Sequence, residues 1–198
     1  MFLSPSHPVN AYELATHVNI TQKAIGQADN YAFFVDNFQI NGDDSIVEGS
    51  QREDDYITFQ PPPTVLVRFR HHFYDPTNGN GLINPVCYTF FLLAGGCRPS
   101  LEWGFNYADN SYSWTKAREY MYIALTGKNF SGDIVAATAD ERNKKFQLMY
   151  RSVGQVMHLV EDLASPAHVR NDIHGKFPAI GIGGFDLYES FLADSEKR

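Results

Sequence analysis

Residues 140–172, DERNKKFQLMYRSVGQVMHLVEDLASPAHVRND, decide how the rest of the chain is read. Apolar side chains recur at Phe146, Met149, Val153, Val156, Val160 and Leu163, three or four residues apart, which is the period of one face of an α-helix. On that helix His158 and Asp162 stand four residues apart, so both leave the same face one turn from each other, a spacing suited to two ligands on one metal ion. Ser165-Pro166 ends the helix, because proline cannot continue it and biases the preceding residue away from α geometry. The loop that follows can carry His168 back over the same face. Taken alone, a His-x-x-x-Asp pair is more often the mark of an ordinary i,i+4 ion pair on a helix surface.

The wider stretch shifts that balance. Residues 154–172, with His158, Asp162, Pro166, His168 and Arg170-Asn171-Asp172 in fixed order, resemble the zinc-dependent phospholipase C and single-strand-specific nuclease superfamily, more closely its uncharacterised bacterial branch. A separate segment upstream, His72-Phe73-Tyr74-Asp75-Pro76, is similar to the metal-binding segment of the bacterial phospholipases. Ser113-Trp114 with Ala117-Arg118 again looks like the bacterial branch. The resemblance spans residues 16–191 with inserts. It implies an all-α, multi-helix phospholipase C/nuclease-like domain that holds two or three zinc ions between helices and loops, in an exported protein.

Further ligands follow from the resemblance residue by residue. Thr16-His17 opens a segment similar to the superfamily's first helix, whose histidine binds zinc, and the role carries over to His17. The phospholipases also use their amino-terminal tryptophan as a ligand; here a methionine and an overhang precede His17, which puts the third ion in question. An aspartate beside the metal-bound water is expected shortly after Gly49: counting from the glycine favours Asp54, and the tyrosine at position 56 favours Asp55. Either could equally lie in a solvated acidic turn. Near the end of the chain Tyr188-Glu189 fits the glutamate of the second zinc site, but Phe185 stands where its partner histidine would be. His174 or Asp186 could take that place, and the two remain open.

Composition bounds these expectations. With 198 residues, 43% hydrophobic and 14% aromatic, the chain suits one folded domain with a substantial core and is not disordered. The longest apolar patch, residues 87–94, falls short of the ~18 apolar residues a membrane helix needs, so the reading is a soluble or peripheral protein. A formal charge of −7 argues against a broad basic surface for nonspecific duplex binding. Cys87 and Cys97 could form a disulfide after export or remain thiols in a reducing cytoplasm. Residues 1–10 show no cationic region followed by an apolar core, so export to a secreted or periplasmic location is expected by analogy alone.

Periodicity places helices at roughly 12–27, 114–126 and 139–164, with Thr16 a candidate cap for the first, and leaves 40–112 loop-rich. Asn41-Gly42-Asp43-Asp44 reads as a turn, Gln60-Pro61-Pro62-Pro63 as a stiff connector, His71 as a supporting residue, and Trp114 with its neighbouring tyrosines as packing. Histidine and carboxylate donors without cysteine favour catalytic rather than structural zinc. On this reading His72, His158 and Asp162 bind a first ion, His168, Glu189 and His174 or Asp186 a second, and His17 with Asp162 helps bind a third. Asp54 or Asp55 would orient or deprotonate water, and the reaction is hydrolysis of a phosphodiester in a phospholipid head group or a nucleic acid. Peripheral membrane contact fits the first substrate. The competing expectation is an inactive extracellular binding or assembly module that keeps metals to stabilise its fold.

Overall fold

A computed structural model describes residues 14–38, 41–54, 68–82, 87, 96–172, 175–177 and 182–184. They are mostly helical, in agreement with an all-α fold: α1 (Leu14–Gln27), α2 (Tyr31–Phe38), α3 (Asp43–Arg52), a 3-10 turn (Arg68–His71), α4 (Ser100–Phe105), α5 (Trp114–Thr126), α6 (Ala139–Asp162) and α7 (Pro166–Val169). A three-residue antiparallel ribbon, β1 (Gly175–Phe177) with β2 (Ile182–Gly184), pairs Lys176 with Gly183.

The longest helix, α6, is the axis on which α1, α3, α4 and α5 converge. Its start is fixed by a capping box, in which the Thr138 hydroxyl accepts the Glu141 N–H while the Glu141 carboxylate accepts the Thr138 N–H. Just inside that start, Arg142 donates to the carbonyls of Ala124 and Leu125, satisfying the last turn of α5. Helix α5 opens on Ser113, whose hydroxyl accepts the Lys116 N–H, and closes on Gly127 at φ 75°, a left-handed position that favours glycine. Between α3, α5 and α6 lies a core of Ile46, Ala117, Ala124, Phe146, Met149 and Tyr150. Burying each of the larger aliphatic or aromatic members contributes about 1.5–3 kcal/mol.

Helix α3 departs from the sequence reading. Asp43 and Asp44, read as part of a turn, stand in its first turn, where their charge complements the helix dipole and the free N–H groups. Its contact with α6 is a backbone-to-backbone crossing made by two glycines. A Cβ at Gly49 would overlap the Arg151 carbonyl, and one at Gly154 would overlap the Ile46 carbonyl. This close approach sets the position of Ser50 and of the following Glu53 and Asp54 against the last turns of α6. Thr16 is a second departure: it lies inside α1 and is buried, not at its cap. Phe69 lies within the 3-10 turn that leads into His72. The triple-proline connector lies outside the described residues.

The turn after Asp162 runs as expected. Pro166 occupies the first position of α7, and the short helix brings His168 beside Asp162. Tyr74 N–H donates to the His168 carbonyl, which fastens the segment after His72 to α7. Cys87 and Cys97 are joined in a disulfide. No helix among the described residues is long and apolar enough to cross a membrane.

Candidate metal centre

Five imidazoles and two aspartates collect where the C-terminal half of α6 meets α1, α3, the 3-10 turn and α7. His17, His71, His72, His158 and His168 are each 2% exposed or less, and so is Asp162. Four of the rings face Asp162. Its Oδ1 lies 3.5 Å from His17 Nε2 and 3.5 Å from His168 Nδ1, and its Oδ2 lies 2.9 Å from His72 Nδ1 and 3.4 Å from His158 Nε2. Asp54 closes the other side, with Oδ1 3.6 Å from His158 Nε2 and 3.7 Å from His72 Nδ1. These side chains form three overlapping donor sets able to hold a cation: His17, His158 and Asp162; Asp54, His72 and His158; and His72, Asp162 and His168.

The backs of the rings are held by the fold. His158 Nδ1 lies 2.7 Å from the Ser50 carbonyl on α3, which leaves Nε2 directed inward. His17 Nδ1 lies 2.6 Å from Glu161 Oε2, and the ring of His17 stacks on His158 at 3.7 Å between centroids. His168 stacks on Phe73 and lies 3.3 Å from the His72 carbonyl through Nδ1. Behind His72, Glu53 is fully buried, accepts from Arg68 and from Trp103 Nε1, and stands 3.8 Å from His72 Nε2. His71 supports this wall, stacked on Trp103 with its Nδ1 accepting the Arg98 N–H. Burial first, then the neighbouring Arg70, hold the His71 imidazole well below its usual range, so it stays neutral.

Inside the cluster the charges are strongly coupled. Burial by itself lowers the His17 pKa, but its hydrogen bonds to Asp162 and Glu161 outweigh that and raise it to about 10. Burial and the adjacent His17 push His158 down, while Asp162 and Asp54 carry it upward overall. Desolvation works to raise Asp162, and the surrounding imidazoles of His168, His158 and His72 overcome it, holding the carboxylate well below the ordinary range. A knot of buried carboxylates and imidazoles of this kind calls for cations, either protons or metal ions. The donor set fits zinc: nitrogen and carboxylate oxygen, without thiolate. Asp54 Oδ2, buried within it, has no hydrogen-bond partner, and the contacts of His158 Nε2 and Asp162 Oδ2 with their charged neighbours do not meet hydrogen-bond geometry.

Of the sequence-selected ligands, the structure brings His17, His72, His158, Asp162 and His168 together, with Asp54 beside them. Asp55, His174, Asp186 and Glu189 lie outside the described residues. Asp75, although part of the upstream motif, turns away: its carboxylate accepts from Thr77 and Asn78 in a surface turn. Glu161 and Glu53 were not singled out from sequence. A signal existed, since each directly precedes a site aspartate, in Glu53-Asp54 and Glu161-Asp162.

Next to the centre runs an apolar groove of about 360 Å³, lined by Ile20, Ala24, Phe105, Trp114 and Val156, with Glu161 at its edge. Trp114, read as packing, and Val160, part of the apolar periodicity of α6, are 44% and 50% exposed along it. Their helical spacing matches a core face, but no further element covers them among the described residues. No family model matches this chain, and no curated protein and no solved structure matches it.

Proposed function

We propose that the chain is a zinc-dependent phosphodiester hydrolase. The observation that carries this reading is the central position of Asp162, one carboxylate within 3.5 Å of four inward-turned imidazoles on four different segments. His72, His158, Asp162 and His168 would hold two ions, with His17 and Asp162 contributing to a third, and Glu189 with His174 or Asp186 would complete the second site. Zinc, when bound, lowers the pKa of a nearby water toward ~7 and offsets negative charge growing on the phosphate oxygens. Asp54, whose Oδ1 lies 3.6 Å from His158 Nε2 and 3.7 Å from His72 Nδ1, or its neighbour Asp55 would accept a proton from the attacking water, whose oxygen would bond to phosphorus as the ester oxygen leaves. The substrate is a phospholipid head group or a nucleic acid. The Cys87–Cys97 disulfide is compatible with a secreted or periplasmic location.

A second reading draws on the near-complete burial of the ligands: metals kept only to hold the fold together in a binding or assembly module. One experiment separates the two. Metal content and hydrolysis of bis(p-nitrophenyl) phosphate are measured before and after chelation and for His158→Ala. The hydrolase reading expects turnover that chelation removes, zinc restores and His158→Ala abolishes with folding intact. Metal retained without turnover on any phosphoester supports the module instead.

A further inference from the structure

We infer that Glu161 is a positioning residue for a zinc ion held by His17, His158 and Asp162; the inference rests on the metal-centre reading above. Both oxygens of Glu161 are engaged on the outer side of the cluster. Oε2 lies 2.6 Å from His17 Nδ1, and Oε1 accepts from the Thr21 hydroxyl at 2.9 Å. Thr21 is itself fully buried and lies 3.0 Å from the Ser50 hydroxyl, so the carboxylate is anchored to both α1 and α3. Held in this way, Glu161 does not turn inward as a ligand.

What it does is set the ring of His17. A proton on Nδ1, donated to the carboxylate, leaves the lone pair on Nε2, and Nε2 is the atom 3.5 Å from Asp162 Oδ1. The partner is a carboxylate, whereas His158 Nδ1 meets only a backbone carbonyl. An anionic partner makes the imidazole the more basic donor, and loss of such outer partners typically weakens metal binding about 10–100-fold. His17 stands on α1 and the other two ligands on α6, so its ring orientation decides whether this donor set closes.

The test is calorimetric titration of zinc into the metal-free full chain, wild type against Glu161→Ala and Glu161→Gln, with thermal melting to establish folding. The expected result is that one class of sites weakens about 10–100-fold in E161A while the remaining class is unchanged. E161Q, whose amide oxygen still accepts the Nδ1 proton but without charge, falls between E161A and wild type. Long-range 1H–15N spectra of the zinc-loaded protein should show His17 protonated at Nδ1 in wild type and E161Q, with that signature lost in E161A. If E161A does not fold, E161Q decides. Isotherms of E161Q or E161A that superimpose on wild type overturn the role of Glu161 while the metal centre stands. A wild-type chain that takes up no zinc overturns the metal centre itself.

Discussion

The glycine crossing that sets the site yields a quantitative prediction. At Gly154 an added methyl would meet the backbone of Ile46 and Ser50, and neither can rotate away as a side-chain tip can. Relieving the clash requires α3 and α6 to separate, and overpacking of that kind costs about 3 kcal/mol, at the upper end of its usual range. Alanine returns about 1 kcal/mol of helix propensity over glycine. The net loss for Gly154→Ala is thus about 2 kcal/mol. In a chain of this length that lowers Tm by roughly 4–8 °C. The control is Gly26→Ala on α1, where a new Cβ meets nothing within 4 Å and only the propensity gain remains. Calorimetric melting of both variants in chelator isolates packing from metal. Since Ser50 moves with α3 and its carbonyl holds His158, G154A should also weaken zinc binding. G154A melting at or above the G26A temperature would refute the reasoning.

Other predictions address the cap, the disulfide and the protons. Hydrogen bonds from Thr138 hold the Glu141 carboxylate below its ordinary range, so its stabilisation is present above the unfolded-state pKa and disappears as pH falls through the folded one. Glu141→Ala should therefore melt below wild type at pH 7 and converge with it in acid; a gap that persists or widens contradicts the cap. Opening the Cys87–Cys97 loop, ten residues apart in sequence, by Cys87→Ser with Cys97→Ser should cost about 2–3 kcal/mol, read from urea midpoints, and an unchanged midpoint counts against the bond. Because His17 is raised to about 10 without metal, zinc uptake at pH 8 must expel protons. Titration in two buffers of different ionisation enthalpy measures that number, and zero release contradicts the assignment of His17.

Several features of the site were legible in sequence because local rules and tertiary context agree on them. The i,i+4 spacing of His158 and Asp162, the stop at Pro166 and the return of His168 all follow from helix geometry. The remainder depended on contacts that one chain segment cannot reveal. Asp43 and Asp44 suit a turn and a helix N-terminus equally, and only packing against α6 selects the helix. Gly49 and Gly154 look like weak points of helices until their backbones are seen to touch. Val160 and Trp114 carry the spacing of a core face, yet periodicity does not say whether another element covers that face. Glu161 escaped because its partner His17 is distant in sequence, and a motif search follows the aspartate beside it.

The central claim is that Asp162 and its surrounding imidazoles hold metal ions. Its most direct test is a crystal of the zinc-loaded protein measured at the zinc absorption edge. The account predicts anomalous peaks within coordination distance of Asp162, flanked by His72 and His158, with a further peak reached by His17. A zinc-equilibrated crystal without a peak there, its imidazoles closed directly onto the Asp162 carboxylate, would contradict it.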